Sequence, residues 1–128
     1  MTDKFNRVSL DSDVTNKLER IQEVTQLTPN FIARIGLCYS LNEPRAPNAA
    51  QYDTEGQTIN RYTLLGEHDA LYMALVRQRM LNEGRDPDED LYDYFLAHLN
   101  RGVGTLSGRL SGLDDLQELI PDELKQEE

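Results

Sequence analysis

Residues 27–44 read LTPNFIARIGLCYSLNEP, and this stretch predicts the helix around which the other elements pack. Thr28 can cap the helix, and Pro29 suits its first position because a proline there loses no hydrogen bond. Apolar residues then recur at helical spacing over a broad face, which indicates a helix buried in the core. Pro44 follows, and proline cannot continue a helix. We therefore expect a central helix from Pro29 to Leu41.

The residues before this helix predict a strand and another helix. Residues 4–10 alternate between two faces, as a short strand does. Residues 13–25 carry apolar side chains at helical spacing, and the sequence DSD at 11–13 supplies an N-cap. Strand, helix and helix within residues 1–42 is the order of a ribbon-helix-helix unit, in which two chains pair their strands into a ribbon that contacts DNA. One face of the predicted strand carries Phe5, Arg7 and Ser9, and the other carries Asn6, Val8 and Leu10.

The residues after the central helix predict a long connection and two further helices. Residues 43–65 form an irregular connection that ends in a short strand or an extended segment. One helix then runs from Glu67 to Asn82. Another helix begins at Pro87 and runs through Asn100. Gly102 is expected to stop it, because glycine commonly terminates helices.

The predicted fold class is mainly α, with a short N-terminal strand and about five helices in a single domain over residues 1–120. The last of these helices is short and spans 113–120, and residues 121–128 form a frayed acidic tail. Helices of this length persist only when an apolar face is buried. The predicted core contains Val14, Leu18, Ile21, Phe31, Ile35, Leu71, Leu75, Phe95 and Leu99.

The charge of the chain is unevenly distributed. The 128 residues carry a net charge of −10, of which −9 lies in residues 83–128. This acidic part repels phosphate, so nucleic-acid contacts are expected in the first two thirds of the chain. The single cysteine forms no internal disulfide, and no apolar run has the ~18 residues of a membrane span. We therefore expect a cytoplasmic protein outside the membrane.

The sequence contains no motif for catalysis or for binding a cofactor or metal. His68 and His98 stand thirty residues apart, and neither has another Cys or His at ligand spacing. Cys38 lies among apolar residues in the central helix, where a buried and inert thiol is expected. Gly104, Gly108 and Gly112 lie four apart. They would form a smooth packing face if helical, and would otherwise belong to a plain loop. We therefore predict no catalytic residue, no cofactor and no metal.

Three stretches of the chain carry a resemblance to a known family. They are LTPNFIARIGLCYSLNEP (27–44), INRYTLLGEHDALYMALVRQR (59–79) and HLNRGV (98–103). Residues 5–120 resemble the DndE family, which comprises small proteins of DNA phosphorothioation, also called DNA sulfur modification. The resemblance implies a mostly helical protein that self-associates as a tetramer. It also implies binding to double-stranded DNA, with a preference for nicked DNA.

The same resemblance implies partner proteins that carry out the sulfur chemistry. These are a cysteine desulfurase, a sulfurtransferase and an ATPase, so this chain is expected to be a non-catalytic DNA-binding subunit. DNA binding in the family is attributed to basic surface residues, often lysines. Only three of the 13 cationic residues here are Lys, so we expect arginines to take that role.

The expected phosphate contacts come from cations outside the acidic part of the chain. Lys17 and Arg20 are left out because acidic neighbours on the same helix, such as Asp13, are expected to pair with them. Arg61 has an alternative role, in which it anchors the fold through a buried carboxylate. The predicted DNA-binding residues are Lys4, Arg7, Arg34, Arg45 and Arg61.

Two other functions remain open at this point. A ribbon-helix-helix repressor or antitoxin would account for residues 1–42, although residues 59–120 add two well-patterned helices that such proteins usually lack. A DNA nickase is the second alternative, because replacing a phosphate oxygen requires access to the backbone.

Overall fold

A computed structural model describes residues 6–109 and shows a mainly helical fold, which confirms the predicted fold class. Lys4, Phe5, the predicted helix over 113–120 and the tail over 121–128 lie outside these residues. Single turns of 3-10 helix occupy Ala49–Gln51 and Gly66–His68. The main elements in chain order are β1 (Arg7–Ser9), α1 (Ser12–Thr25), α2 (Pro29–Leu41), β2 (Thr58–Asn60), α3 (Arg61–Leu65), α4 (Asp69–Asn82) and α5 (Pro87–Arg109).

The first two helices begin where the sequence predicts because side chains satisfy their first N–H groups. The Asp11 carboxylate accepts hydrogen bonds from the backbone N–H of Asp13 at 2.7 Å and of Val14 at 3.1 Å. The Thr28 hydroxyl caps α2, and Pro29 occupies its first position. Each cap replaces water at N–H groups that have no partner within the helix.

The N-terminal strand pairs within its own chain. β1 runs antiparallel to β2, with Val8 opposite Ile59. Val8 and Leu10 are buried while Arg7 is exposed, as the predicted alternation requires. A ribbon-helix-helix protein would instead place β1 beside the same strand of a second chain. The order strand-helix-helix is therefore confirmed, and β1 has a partner strand in its own chain.

The end of the long connection contains a short helix that the sequence analysis did not predict. The short strand or extended segment expected around Tyr62 and Leu64 is wrong, because these residues belong to α3 (Arg61–Leu65), and the strand lies just before them at Thr58–Asn60. The Asn60 side chain accepts hydrogen bonds from the N–H groups of Tyr62 and Thr63 and so caps this helix.

The last described helix is longer than predicted, because Gly102 does not end it. α5 extends to Arg109 and crosses α2 where Gly36 and Gly102 bring the two backbones together. A Cβ at Gly36 would lie 2.9 Å from the carbonyl carbon of Gly102. Gly104 and Gly108 form no packing face with residues 6–109, since a Cβ at either meets nothing within 4 Å there, and Gly112 lies outside the described residues. Within residues 6–109, no helix is both long and apolar enough to span a bilayer.

The core lies between α2, α5 and the elements packed on them, and it differs from prediction at α4. Val14, Leu18, Ile21, Phe95 and Leu99 are buried as predicted, and Ile35 is partly buried against the core. Phe31, Leu71 and Leu75 are instead exposed by 50%, 57% and 45%. α4 buries a different face, which carries Met73, Val76 and Met80.

Candidate nucleic-acid interface

The predicted DNA-binding residues fall into two structural groups. Arg7 and Arg45 are exposed, and their side chains form no hydrogen bond or ion pair with any residue in the range 6–109. Arg34 and Arg61 are half-buried and bonded to neighbouring elements. Lys4 lies outside the described residues. The structure therefore leaves two of these guanidinium groups able to reach an external anion with all their donors.

Arg34 joins α2 to the end of α3. Its Nε donates to the carbonyl oxygen of Leu64 at 2.6 Å, and its Nη2 donates to that of Thr63 at 3.4 Å. The last carbonyls of a helix have no partner within it, so a guanidinium at this position stabilises the helix end. Arg34 therefore has a structural role that the sequence analysis did not assign.

Arg61 forms an ion pair that anchors the fold, which is the alternative role predicted for it from the sequence. Its Nε and Nη2 donate to the two carboxylate oxygens of Asp69 at 2.9 and 3.0 Å. The two side chains are only 15% and 19% exposed. A bidentate pair of this kind fixes geometry as well as contributing energy. It ties the first turn of α3 to the first turn of α4.

Two further arginines are as accessible as Arg7 and Arg45. Arg20 and Arg77 are exposed and have no hydrogen bond or ion pair with the residues that the structure describes. The predicted pairing of Arg20 with a neighbouring carboxylate is therefore wrong, whereas Lys17 pairs with Asp13 at 3.2 Å as expected. Sequence reasoning missed Arg77, because α4 has no single polar face that would mark its exposed residues.

The segment that carries Arg45 is held by two other arginines. Arg101 donates to the carbonyl oxygen of Arg45 at 2.6 Å and to that of Ser40 at 2.9 Å. Arg79 donates to the carbonyl oxygens of Arg45 and Leu41 at 3.1 and 2.9 Å. These bonds satisfy the carbonyls at the end of α2 and fix the backbone from which the Arg45 side chain extends.

Behind this segment lies a buried polar cluster of Ser40, His98 and Arg101. The Ser40 hydroxyl oxygen lies 2.7 Å from Nδ1 of His98 and accepts a hydrogen bond from Nε of Arg101 at 2.9 Å. His98 is fully buried, and burial lowers its pKa to about 3. The ring is therefore neutral at pH 7. No spacing in the sequence could reveal this cluster, because its members stand 58 and 61 residues apart.

The groups most suited to metal or nucleophilic chemistry are dispersed. Residues 6–109 contain no cluster of three or more His, Cys, Asp or Glu that could hold a metal ion. Cys38 is exposed, so its predicted burial is wrong. Its side chain forms a hydrogen bond with Tyr72, and burial raises the pKa of that tyrosine.

Large apolar side chains are exposed on both α2 and α4. Leu71 and Leu75 lie one turn apart on α4, on the side next to Tyr72. Tyr72 reaches Cys38 of α2, and Phe31 lies on the same exposed side of α2, two turns earlier. We call Phe31, Leu71 and Leu75 the apolar strip. Large apolar side chains grouped at the surface are typical of contact sites.

A model of one protein family matches most of the length of the chain. Residues 7–112 match the family model described as DNA sulphur modification protein DndE. The chain belongs to the DndE family. The match covers every described helix and strand, together with both exposed cations of the predicted site, Arg7 and Arg45.

Solved structures of DndE share the fold. The chain is similar to DndE from Escherichia coli B7A, described as involved in DNA phosphorothioation modification, with a TM-score of 0.66 and 20% identity. The similarity covers 79% of this chain and 95% of that one. A DndE G21/24K mutant, described as involved in DNA phosphorothioation, gives a TM-score of 0.64 at 19% identity and covers 79% and 96%. A search of curated proteins gives no match.

Proposed function

We propose that this chain is a non-catalytic DNA-binding subunit of the DNA phosphorothioate modification machinery. It binds double-stranded DNA, preferably nicked, through the sugar-phosphate backbone. The observation that carries the proposal is the DndE family match over residues 7–112. The exposed and unbonded guanidinium groups of Arg7 and Arg45 support it, because affinity for a DNA backbone comes from cations that can replace its counterions.

The individual cations are expected to contribute unequally. Arg34 and Arg61 remain in the proposed interface, but some of their donors are already engaged, those of Arg34 with the carbonyls of Leu64 and Thr63 and those of Arg61 with Asp69 and Tyr62. Arg7 and Arg45 keep their donors for phosphate, so we expect them to contribute more. Lys4 completes the proposed set.

The acidic first turn of α5 is not expected to contact the DNA backbone. It carries Asp88, Glu89 and Asp90, and these carboxylates repel a phosphate backbone. We infer that this turn faces away from DNA or toward the partner proteins, which include the sulfurtransferase and the ATPase. Basic surfaces on those partners would complement it.

The proposed interface is tested by the salt dependence of DNA binding. We expect the wild-type protein to bind a nicked duplex more tightly than an intact duplex of the same sequence, as measured by fluorescence anisotropy. Arg7→Ala and Arg45→Ala should each reduce the slope of log affinity against log salt concentration by roughly one, because each removes about one phosphate contact. Neither variant should change thermal stability, since neither side chain has a hydrogen-bond or ion-pair partner among residues 6–109.

Lys17→Ala provides the matched control, because the Lys17 ammonium is already paired with Asp13. Its salt slope should equal that of the wild type. If the double variant of Arg7 and Arg45 keeps both the affinity and the slope of the wild type, the interface lies elsewhere.

The apolar strip supports a second part of the proposal, which is self-association into a tetramer. Phe31, Leu71 and Leu75 each expose about half of their surface or more, and a second copy would remove that apolar area from water. The β1 edge is a weaker candidate for this contact, because β1 already pairs with β2.

Placing a charge in the apolar strip should dissociate the assembly. Leu75→Glu buries a carboxylate at the contact, so light scattering at micromolar concentration and high salt should give the mass of a monomer. Leu81→Glu is the control, because Leu81 is 56% exposed and lies about 120° around α4 from Leu75. An oligomer that survives Leu75→Glu would exclude this surface as the contact.

A further inference from the structure

A surface groove lies where α3 meets α4, and Leu91 of α5 forms part of its lining. The groove has a volume of about 420 Å³. Tyr62 and Arg61 of α3 line it together with Ala70, Ala74 and Arg77 of α4, and Met73 contributes a buried side chain. We call it the Tyr62 groove.

The ring of Tyr62 is both exposed and held in place. Half of the residue is exposed, although the Arg61 guanidinium lies 4.4 Å from the ring centroid. Arg61 also donates a hydrogen bond to the Tyr62 hydroxyl at 2.9 Å. Because Asp69 fixes Arg61 through two hydrogen bonds, the ring keeps its orientation without a ligand. An aromatic surface with a fixed orientation loses little conformational entropy when another ring stacks on it.

The α4 side of the Tyr62 groove combines a smooth wall with a cation. Ala70 and Ala74 lie one turn apart and present only methyl groups, so a flat ligand meets no protruding side chain there. Arg77 follows on the same side of the helix. It is exposed and has no hydrogen bond or ion pair with residues 6–109.

The charges of the groove favour a ligand with one aromatic ring system and one anionic group. Asp69 is the only carboxylate among the lining residues, and both of its oxygens accept hydrogen bonds from Arg61. Among the lining residues, Arg77 is then the cation that has no carboxylate partner within the described part of the chain. A nucleotide has the matching chemistry, because its base stacks on aromatic side chains and its phosphate binds a guanidinium.

We propose that the Tyr62 groove binds a single unpaired nucleotide of DNA, with the base stacked on Tyr62 and a phosphate at Arg77. This inference rests on the proposed function and extends it. The bases of an intact duplex are paired and stacked within the helix, whereas an interruption of one strand allows a terminal nucleotide to leave the stack. The groove would thus distinguish nicked from intact DNA. Arg7 and Arg45 would contact the backbone of both equally.

The test compares two DNA molecules and three substitutions. One DNA is an intact duplex, and the other is the same duplex with a nick that carries a one-nucleotide flap. Tyr62→Leu keeps apolar bulk but removes the ring, and it should lower affinity for the flap duplex about tenfold while leaving affinity for the intact duplex unchanged. Arg77→Gln should also lower affinity for the flap duplex selectively. Tyr62→Phe is the matched control: it loses the hydroxyl but keeps the ring and its contact with the Arg61 guanidinium, so it should retain the preference for the flap duplex.

A second readout follows the base itself. With 2-aminopurine as the flap nucleotide, binding to the wild type or to Tyr62→Phe should quench its fluorescence, because stacking on an aromatic ring does so. Binding to Tyr62→Leu should leave it bright. Thermal unfolding of each variant, followed by circular dichroism, verifies that the fold is retained.

The possible outcomes separate the two proposals. If Tyr62→Leu binds both DNA molecules as the wild type does, the groove does not hold a nucleotide, but the proposed DNA-binding function stands. If Tyr62→Leu loses affinity for both DNA molecules equally, Tyr62 belongs to the backbone interface and the nucleotide site is also excluded. If the wild-type protein binds neither DNA, the proposed function fails and the groove proposal fails with it.

Discussion

Replacing Gly102 by alanine should destabilise the protein by about 3 kcal/mol, at the upper end of the usual cost of overpacking a core. The added Cβ would overlap the backbone carbonyl of Gly36, so the crossing helices must move apart. A flexible side chain could rotate away from such a clash, but a carbonyl within α2 cannot. The movement would also separate buried neighbours of the crossing, such as Leu37 and Val103.

Gly104→Ala is the matched control, because it makes the same substitution in the same helix two residues later. A Cβ at Gly104 meets no atom of the described part of the chain within 4 Å. Alanine is favoured over glycine inside a helix by about 0.5–1 kcal/mol, so this variant should be more stable than the wild type. The two substitutions are thus expected to change stability in opposite directions.

Urea unfolding followed by circular dichroism measures both changes in the free energy of unfolding. In a thermal scan, Gly102→Ala should lower the melting temperature by about 10 °C. A Gly102→Ala protein as stable as the wild type would show that α2 and α5 do not approach as closely as described.

The contrast between these glycines shows where the sequence analysis succeeded and where it failed. Helix starts depend on local chemistry, so Asp11, Thr28 and Pro29 were sufficient to predict two of them. Gly102 suggested a helix end for an equally local reason, namely its low helix propensity. The reason it lies inside a helix is the backbone of Gly36, which is 66 positions away in sequence and leaves no local pattern.

The orientation of α4 was unpredictable for a different reason. Leu71 and Leu75 have helical spacing, and so do Met73, Val76 and Met80. Two apolar faces on one helix compete for the core, and leucine is the more usual core residue. The methionines and valine are the ones buried, and the leucines form the apolar strip.

The candidate site was predicted only as a set of cations. The sequence can identify arginines outside the acidic region, but only the tertiary structure shows which guanidinium groups already have partners. Arg34 bonds to carbonyls about 30 residues away, so nothing nearby in sequence marks it as structural. Arg61 was the tractable case, because its carboxylate partner Asp69 lies eight residues later.

Acidification should destabilise the protein well above the pH at which carboxylates become protonated. Between pH 7.5 and pH 5 the free energy of unfolding should fall by about 2 kcal/mol because of His98 alone. The pKa of His98 is lowered from 6.5 to about 3, mainly by burial and further by the nearby charges of Arg101 and Arg79. Glu83 opposes this shift by raising the pKa.

The direction of the effect follows from which state binds the proton. In the unfolded chain His98 becomes protonated as the pH falls through about 6.5, whereas in the folded protein it stays neutral until about pH 3. Protons therefore favour the unfolded state throughout this interval. Above about pH 7.5 both states are neutral at this residue, so its contribution to the pH dependence disappears.

Urea unfolding at a series of pH values measures the effect, and His98→Leu isolates it. Most carboxylates of the unfolded chain remain ionised above pH 5, so the slope between pH 7.5 and 5 reports mainly on histidine. His98→Leu removes the titrating group and should flatten this slope, while the exposed His68 is present in both proteins. Leucine leaves the Ser40 hydroxyl with its hydrogen bond from Arg101, so the surrounding cluster keeps one of its two contacts.

The same prediction can be examined directly on the folded wild-type protein by NMR. The His68→Gln variant assigns the two histidine ring signals, and the signal of His98 should keep the position of a neutral ring down to about pH 4. The site does not stabilise a protonated ring, because the ring is fully buried and Tyr94 packs edge-on against it at 5.1 Å. In addition, Nε2 has no hydrogen-bond partner in residues 6–109. A His98 signal that titrates near pH 6.5 would show that the ring reaches water, and the stability of the folded state would then not depend on pH through this residue.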